Sequence, residues 1–226
     1  MRITNVLGHS FAPDLLRDAK VALDCGANMG GFSTWLSQNT TASVYAFEPD
    51  PRLFPNLPIL PRVTYVPQAV DGESGSFDLN MGPKMCSSAV YTQRAHERVR
   101  VEKTSLTDFC AAHGIHEIDF IKLDIEGAEL SVLERTSPDL LTATTQITVE
   151  FHDALRASDV PRIRAIAERL KQLGFYFVRF TQFTWGDCLF LNERRVRLTA
   201  LDKLSIAVSG KYEPGIRRFI KRTLKR

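Results

Sequence analysis

The sequence lacks several features that mark other classes of protein. No apolar run approaches the roughly 20 residues of a membrane-spanning helix, and the first residues do not form a basic-then-apolar leader. The four cysteines, Cys25, Cys86, Cys110 and Cys188, include no Cys-x-x-Cys pair, so neither a structural zinc site nor a redox motif is predicted. The 226 residues are 44% hydrophobic and 24% charged, which is ordinary for one globular α/β domain. We therefore expect a cytoplasmic protein with reduced thiols.

A glycine-rich turn is the most informative feature that the sequence does have. The apolar run at residues 21–23 leads directly into Asp24-Cys25-Gly26-Ala27-Asn28-Met29-Gly30-Gly31-Phe32-Ser33. Glycine suits a tight strand-to-helix turn, where the backbone takes positive φ or approaches a ligand without a Cβ in the way. The helix expected from Gly31 would point its free N–H groups at a bound molecule. An ordinary connecting turn is the alternative interpretation.

A second apolar run ends in an acid in the same way. Residues 44–47 lead to Glu48, which follows Asp24 by 24 residues. Neighbouring parallel strands would present both carboxylates to the crevice beyond their carboxyl ends, where open α/β sheets bind ligands. We predict that Glu48 accepts hydrogen bonds from the ribose hydroxyls of a nucleotide.

The composition of the turn distinguishes between nucleotide cofactors. A dinucleotide fingerprint has the pattern Gly-x-Gly-x-x-Gly, which lets a pyrophosphate lie on the helix N-terminus. Here Asn28 takes the place of the second glycine, and Asp24 opens the turn. A carboxylate repels a pyrophosphate but attracts the ammonium and sulfonium groups of S-adenosylmethionine. The turn therefore favours S-adenosylmethionine, and an NAD(P)-dependent Rossmann oxidoreductase is the alternative.

The order of apolar runs, glycines and prolines predicts alternating strands and helices, which is typical of a doubly wound, mostly parallel α/β sheet. Residues 71–103 differ, because glycines and a proline separate short β-like runs at 76–79 and 98–101, and we interpret them as an insertion or flap near the active site. Strands are expected near residues 20–24, 43–47, 62–67, 119–123, 146–151, 175–180 and 188–191, and helices near 14–20, 31–38, 105–114, 126–135 and 160–173. A further helix at 50–57 is expected to be weak, because closely spaced prolines allow little more than one turn.

Two later strand ends carry residues suited to chemistry. Asp124 and Glu126 follow an apolar strand and should reach the same crevice, although acids also cap helix N-termini without any further role. Lys122, on that strand, could pair with a carboxylate. Glu150 and His152 end the next strand, where alternation places both on one side.

Three roles are possible for Glu150 and His152. Beside Asp124, they could deprotonate a substrate hydroxyl, bind a divalent metal ion, or, for His152, form a structural hydrogen bond. We favour acid–base chemistry, with Asp124, Glu150 and His152 as catalytic residues, His152 as the base, and no metal ion.

Taken together, these segments resemble the FkbM family of S-adenosylmethionine-dependent methyltransferases. The resemblance covers about residues 20–191 and rests on Asp24-x-Gly26-Ala27-Asn28-x-Gly30-x-x-Ser33, Phe47-Glu48-Pro49, Ile118-Asp119-Phe120-Ile121-Lys122-Leu123-Asp124-Ile125-Glu126-Gly127-Ala128-Glu129 and Glu150-Phe151-His152, in that order. It implies a class I methyltransferase fold, which is Rossmann-like with seven strands and an antiparallel last strand. It also implies that Gln68 and Ala69 border the adenine, although Gln68 stands where an asparagine is more usual. The expected cofactor-binding residues are Asp24, Gly26, Asn28, Gly30, Ser33, Glu48, Gln68, Ala69, Asp124 and Glu126.

The predicted activity is methylation of a hydroxyl by an S-adenosylmethionine-dependent O-methyltransferase. A base is needed to take the proton of an alcohol during attack, whereas an enolate or phenolate needs little acid–base help, so the catalytic candidates indicate oxygen methylation. The resemblance implies a sugar, a glycan or a natural product as the acceptor. We expect residues 1–191 to form the methyltransferase domain.

Residues 192–226 form a basic C-terminal extension. They contain 11 Lys or Arg against 3 Asp or Glu, a net charge of +8, whereas residues 1–191 carry −5. In 216–226 the apolar residues share one helical face, which could lie on an anionic membrane surface at the inner face of the membrane. A solvated tail and a non-catalytic peripheral membrane adaptor are alternatives, and no nucleic-acid partner is expected. The apolar face comprises Ile216, Phe219, Ile220, Thr223 and Leu224.

Overall fold

A seven-stranded sheet with helices on both faces carries the candidate site. The computed structural model describes residues 1–81, 87–88 and 97–208. From one edge to the other, the strands are β12 (Phe175–Arg179), β13 (Cys188–Asn192), β11 (Thr144–Val149), β10 (Ile118–Leu123), β3 (Val21–Cys25), β4 (Ser43–Phe47) and β5 (Val63–Val66). β13 runs antiparallel to both of its neighbours, and β11, β10, β3, β4 and β5 are parallel. The doubly wound, mostly parallel sheet with an antiparallel last strand is confirmed.

Helices cover the two faces of this sheet and create two apolar layers. Phe32 and Leu36 of the first helix lie in one layer, and Ile166 and Leu170 of the longest helix lie in the other. Every residue of β11 is buried, as expected for a strand covered on both faces. The helices are α1 (Gly31–Asn39), α2 (Leu106–Ala112), α3 (Glu129–Arg135), α4 (Pro138–Thr142) and α5 (Val160–Gln172), with a further helix over residues 200–208.

The segment predicted as an insertion forms a separate four-stranded sheet. Its strand order is β6 (Ala69–Asp71), β9 (Glu97–Ser105), β7 (Gly75–Met81) and β8 (Ser87–Ser88). The Asp71 carboxylate ties this sheet to α3, because it accepts hydrogen bonds from Lys103 Nζ (2.6 Å) and Ser131 Oγ (2.5 Å). The β-like runs are therefore strands, and the function of the segment as an active-site flap stays a prediction.

An N-terminal hairpin, which the sequence patterns did not indicate, packs against the main sheet. β1 (Thr4–Val6) and β2 (His9–Phe11) are antiparallel, and β2 is buried throughout. The Asp187 carboxylate holds the hairpin, because it accepts hydrogen bonds from Ser10 N (2.9 Å) and Ser10 Oγ (2.6 Å). This arrangement brings His9 to the carboxyl ends of β10 and β11.

Two segments predicted as helices form short 3-10 turns. The helix expected at 14–20 is a short 3-10 helix, Pro13–Leu16, because Asp119 accepts the amide hydrogens of Lys20 and Val21 and draws the chain into β3 in an extended form. At 50–57, where the prolines were predicted to allow little more than one turn, the chain forms the 3-10 turn Phe54–Asn56, in agreement with that prediction.

Two boundaries next to the site were also wrong. The helix expected from residue 126 begins at Glu129, because Glu126 (φ +55°) and Gly127 (φ +105°) take left-handed conformations that cannot continue an α-helix. The strand expected at 146–151 is Thr144–Val149, so Glu150 and His152 follow the strand.

The chain after β13 folds back onto the domain as far as it is described. The terminal ammonium of Met1 pairs with Asp202 at 2.5 Å, and Ile206 is fully buried. No helix within residues 1–81, 87–88 and 97–208 has the length and apolar character needed to cross a membrane. The amphipathic pattern at 216–226 lies outside the described residues.

Candidate active site

A cavity of about 480 Å³ opens at the carboxyl ends of the parallel strands. Its volume falls in the range of small-molecule sites, about 300–1,000 Å³. Apolar side chains of β7, Phe77 and Leu79, form one side, so the second sheet helps to enclose it. Of the residues predicted to bind a cofactor, six line the cavity: Gly26, Asn28, Glu48, Ala69, Asp124 and Glu126. Asp24, Gly30, Ser33 and Gln68 do not line it.

The glycine turn brings two strand ends into backbone contact. Gly26 has φ +86°, and a Cβ at this position would lie only 1.8 Å from the carbonyl oxygen of Asp124. Its N–H and that of Ala27 both donate to Phe47 O, at 3.1 and 2.8 Å. The turn is therefore fixed against β4 and β10, and only glycine fits at its tightest point.

A buried ion pair lies beneath this turn. Asp24 is fully buried, and its carboxylate accepts a hydrogen bond from Ser33 Oγ (2.6 Å) and lies 3.2 Å from Lys122 Nζ. The Lys122 ammonium also donates to Gly26 O at 2.8 Å. Burial by itself would lower the pKa of Lys122, but the Asp24 and Asp124 carboxylates raise it above its ordinary value. Asp24 and Ser33 thus support the turn from below rather than forming the cavity wall.

Glu48 is fixed by main-chain amides at the edge of the cavity. Its two carboxylate oxygens accept hydrogen bonds from Asn28 N and Asp50 N, both at 2.8 Å. Burial raises the pKa of Glu48, and the two amide hydrogen bonds oppose that rise. A carboxylate has about four lone-pair positions, so Glu48 can still accept hydrogen bonds from a ligand.

Asp124 is the centre of a cluster of charged side chains. One oxygen lies 3.3 Å from His9 Nε2 and 3.5 Å from Lys122 Nζ, and the other lies 3.8 Å from His152 Nε2. Burial would raise the pKa of Asp124, but the hydrogen bond from His9 and the positive charge of Lys122 lower it to about 2. Asp124 is therefore ionised near neutral pH.

The turn after Asp124 is organised by Glu129. This carboxylate is almost completely buried and accepts hydrogen bonds from Ile125 N (2.9 Å) and Gly127 N (3.0 Å). It also lies 3.0 Å from His152 Nδ1. The Glu129 carboxylate thus caps the main-chain amides of its own turn and fixes the orientation of the His152 imidazole.

The carboxylates around His152 change its protonation. Burial would lower the pKa of His152, but the hydrogen bond to Glu129 and the charges of Glu129, Glu126 and Asp124 raise it to about 9. The prevailing form near neutral pH is the imidazolium, which donates protons rather than accepting them. His152 must lose this proton before it can serve as the predicted base.

Glu150 completes the group of residues that the sequence predicted to be catalytic. Its amide donates to Leu123 O at 2.9 Å, and Oε2 lies 4.0 Å from His9 Nε2. Burial and the nearby Asp124 charge raise the pKa of Glu150. Within the described part of the chain its carboxylate accepts no hydrogen bond, and the side chain is 38% exposed.

Sequence reasoning did not identify two residues of this cluster, His9 and Glu129. Glu129 belongs to the Asp-Ile-Glu-Gly-Ala-Glu segment, so the motif itself was the available signal. His9 carries no such signal, because it reaches Asp124 only through the packing of a hairpin 115 residues away in the chain.

The parallel sheet, the glycine turn and the cavity at the carboxyl ends of the strands define a Rossmann-like fold. A family model described as the Methyltransferase FkbM domain matches residues 24–177, and the chain belongs to this family. The prediction of a methyltransferase is confirmed, and the oxidoreductase and adaptor alternatives gain no support.

Two characterised relatives are similar along most of the chain. The 2-O-methyltransferase NoeI of Sinorhizobium fredii is 29% identical over 197 residues, covering 77% of this chain and 80% of that protein. The hexuronic acid methyltransferase AglP of Haloferax volcanii is 26% identical over 162 residues, covering 68% and 66%. Among solved structures, the precorrin-6y C5,15-methyltransferase of Geobacter metallireducens is 12% identical, with coverage of 78% and 80% and a TM-score of 0.40.

Proposed function

We propose that the protein transfers the methyl group of S-adenosylmethionine to a hydroxyl of a sugar, a glycan or a related natural product. The observation that carries the proposal is the cavity that joins the glycine turn and Glu48 to the Asp124 cluster. The names of the relatives support it, since one is a 2-O-methyltransferase and the other acts on hexuronic acid.

The cavity offers groups that fit S-adenosylmethionine. Glu48 would accept hydrogen bonds from the ribose hydroxyls, and Ala69 would border the adenine. Asp124 and Glu126 supply negative charge where the cofactor is cationic. Gly26 and Asn28 would contact the cofactor through the turn, whereas Asp24, Gly30, Ser33 and Gln68 would act by holding the surrounding backbone. When bound, S-adenosylmethionine supplies an electrophilic methyl group on a positively charged sulfur.

In this proposal, Glu150 takes the proton of the acceptor hydroxyl. Its carboxylate is the more exposed of the two that approach His9, at 38% against 30% for Asp124. It also accepts no hydrogen bond from the described residues, so its lone pairs are available. The His152 imidazolium would orient the carboxylates of Asp124 and Glu126, and Asp124 would orient the acceptor hydroxyl. The predicted function of His152 as the base stays open and is tested with the same assay.

Calorimetry and kinetics together test this assignment. The full chain should bind S-adenosylhomocysteine and not NADH, and Glu150→Gln should leave this affinity within a few-fold while methyl transfer to a panel of glycosides falls roughly 10²-fold or more. His152→Gln serves as the matched comparison for the base. Absence of S-adenosylhomocysteine binding by folded protein would refute the proposed function. Unchanged turnover in Glu150→Gln, with a large loss in His152→Gln, would return the base to His152.

A further inference from the structure

We propose that His9, Asp124 and Glu150 form a binding site for one divalent metal ion next to the cavity that Asp124 lines. The three residues come from the N-terminal hairpin and from the ends of β10 and β11. Binding of the ion is independent of the proposed function, whereas its chemical consequence rests on it.

The spacing of the ligand atoms suits a small divalent ion. One potential ligand atom from each residue lies within 4.8 Å of the other two. His9 Nε2 is 3.3 Å from Asp124 Oδ2 and 4.0 Å from Glu150 Oε2. Octahedral ligands about 2.1 Å from a metal stand roughly 3.0 Å apart when adjacent and roughly 4.2 Å apart when opposite. One imidazole and two carboxylates form a ligand set suited to Mn²⁺ or Zn²⁺.

His9 is buried, and one side of its ring packs against an aromatic side chain. The side chain is 1% exposed, and its ring packs edge-on against Phe32 with centroids 5.7 Å apart. The next residue, Ser10, is fixed through two hydrogen bonds to Asp187. A buried imidazole directed at two carboxylates is therefore built into the fold. Asp124 and Glu150 remain 30% and 38% exposed, which leaves the crevice side open to water or substrate.

Carboxylates outnumber basic side chains in the cluster, which favours an added cation. Apart from His9, the basic side chains are Lys122, beside Asp24, and His152, beside Glu129. Lys122 is held mainly by Asp24 Oδ1 (3.2 Å) and Gly26 O (2.8 Å), and lies farther, at 3.5 Å, from Asp124. Asp124 thus keeps a lone pair for a further ligand. The five acids of the cluster are Asp24, Asp124, Glu126, Glu129 and Glu150.

A metal ion here would acidify the acceptor hydroxyl. The hydroxyl oxygen would coordinate on the open side, and its proton would pass to the Glu150 oxygen that does not bind the ion. The oxygen would then form a bond to the methyl carbon as the bond from that carbon to sulfur breaks, which leaves a neutral thioether. No oxidant or further reactant is needed.

Titration of the metal-free full chain with Mn²⁺, followed by the electron paramagnetic resonance of free Mn²⁺, tests the site. One saturable site per chain is expected, and His9→Gln and Glu150→Gln should each weaken it roughly tenfold or more. Glu126→Gln is the matched control, because it removes a neighbouring carboxylate outside the three ligands and should change Mn²⁺ affinity much less. Circular dichroism checks that each variant folds. Should His9→Gln fail to fold, the more exposed Glu150→Gln still tests the site.

Two results would overturn the proposal. One is the absence of saturable Mn²⁺ binding by the folded protein, which would leave the hydrogen bond between His9 and Asp124 as a structural contact. The other is an equal loss in Glu126→Gln and Glu150→Gln, which would indicate unspecific attraction to an acidic crevice. Binding of S-adenosylhomocysteine by the metal-free protein is measured separately, so failure of the metal site is distinguishable from failure of the proposed function.

Discussion

Replacing Lys122 by methionine tests the ion pair that supports the glycine turn. Methionine keeps most of the volume of the side chain but leaves Asp24, which is fully buried, without its cation. Removing one partner of a buried pair typically costs about 3–5 kcal/mol, because the remaining charge is desolvated and uncompensated. For a chain of this size we expect a fall in Tm on the order of 10 °C.

The structure also predicts an asymmetry between the two partners. Asp24→Asn should cost less than Lys122→Met, because Lys122 keeps Gly26 O at 2.8 Å and Asp124 at 3.5 Å. The amide oxygen that this substitution introduces can still accept the hydrogen bond from Ser33 Oγ. The double variant should recover much of the stability lost in Lys122→Met, since no uncompensated carboxylate remains beneath the turn.

Urea denaturation measures these differences as free energies of unfolding. Lys171→Met is the matched control, because Lys171 is 50% exposed and its pair with Glu168 at 3.6 Å should contribute less than about 1 kcal/mol. The reasoning fails if Lys122→Met is no less stable than Lys171→Met. It also fails if the double variant is no more stable than Lys122→Met.

Two further predictions concern protonation. Glu129→Gln removes the carboxylate that contacts His152 Nδ1, so the pKa of His152 should fall below its value of about 9 in an NMR titration of the imidazole; an unchanged pKa would contradict the assigned cause. Cys25, Cys110 and Cys188 are buried, and burial raises the pKa of each thiol, so all three should resist a thiol reagent at pH 8 until the protein is unfolded. Rapid labelling of any of the three in native protein, located by mass spectrometry, would argue against the packing described.

Local signals in the sequence were sufficient to predict the helices whose bounds depend on neighbouring residues. The helices expected near 105–114 and 160–173 occur close to those bounds, as Leu106–Ala112 and Val160–Gln172. Prediction was wrong at two helix boundaries. The helix expected at 14–20 is cut short by a distant group, the carboxylate of Asp119, whereas the start of α3 is delayed by three residues by the left-handed backbone of Glu126, which the residue pattern does not indicate.

The sequence alone determined the type of fold and that the candidate site lies at the carboxyl ends of the strands. The carboxyl ends of parallel strands lie on the same side of the sheet, so glycines and acids at these ends come close together whatever the details of packing. Only the tertiary structure decided what each acid does. Asp24 is neutralised by Lys122 beneath the turn, whereas Glu48 and Asp124 line the cavity. The tertiary structure also set the pKa of His152 and the position of His9 beside Asp124, because both depend on distances between groups that are far apart in the chain.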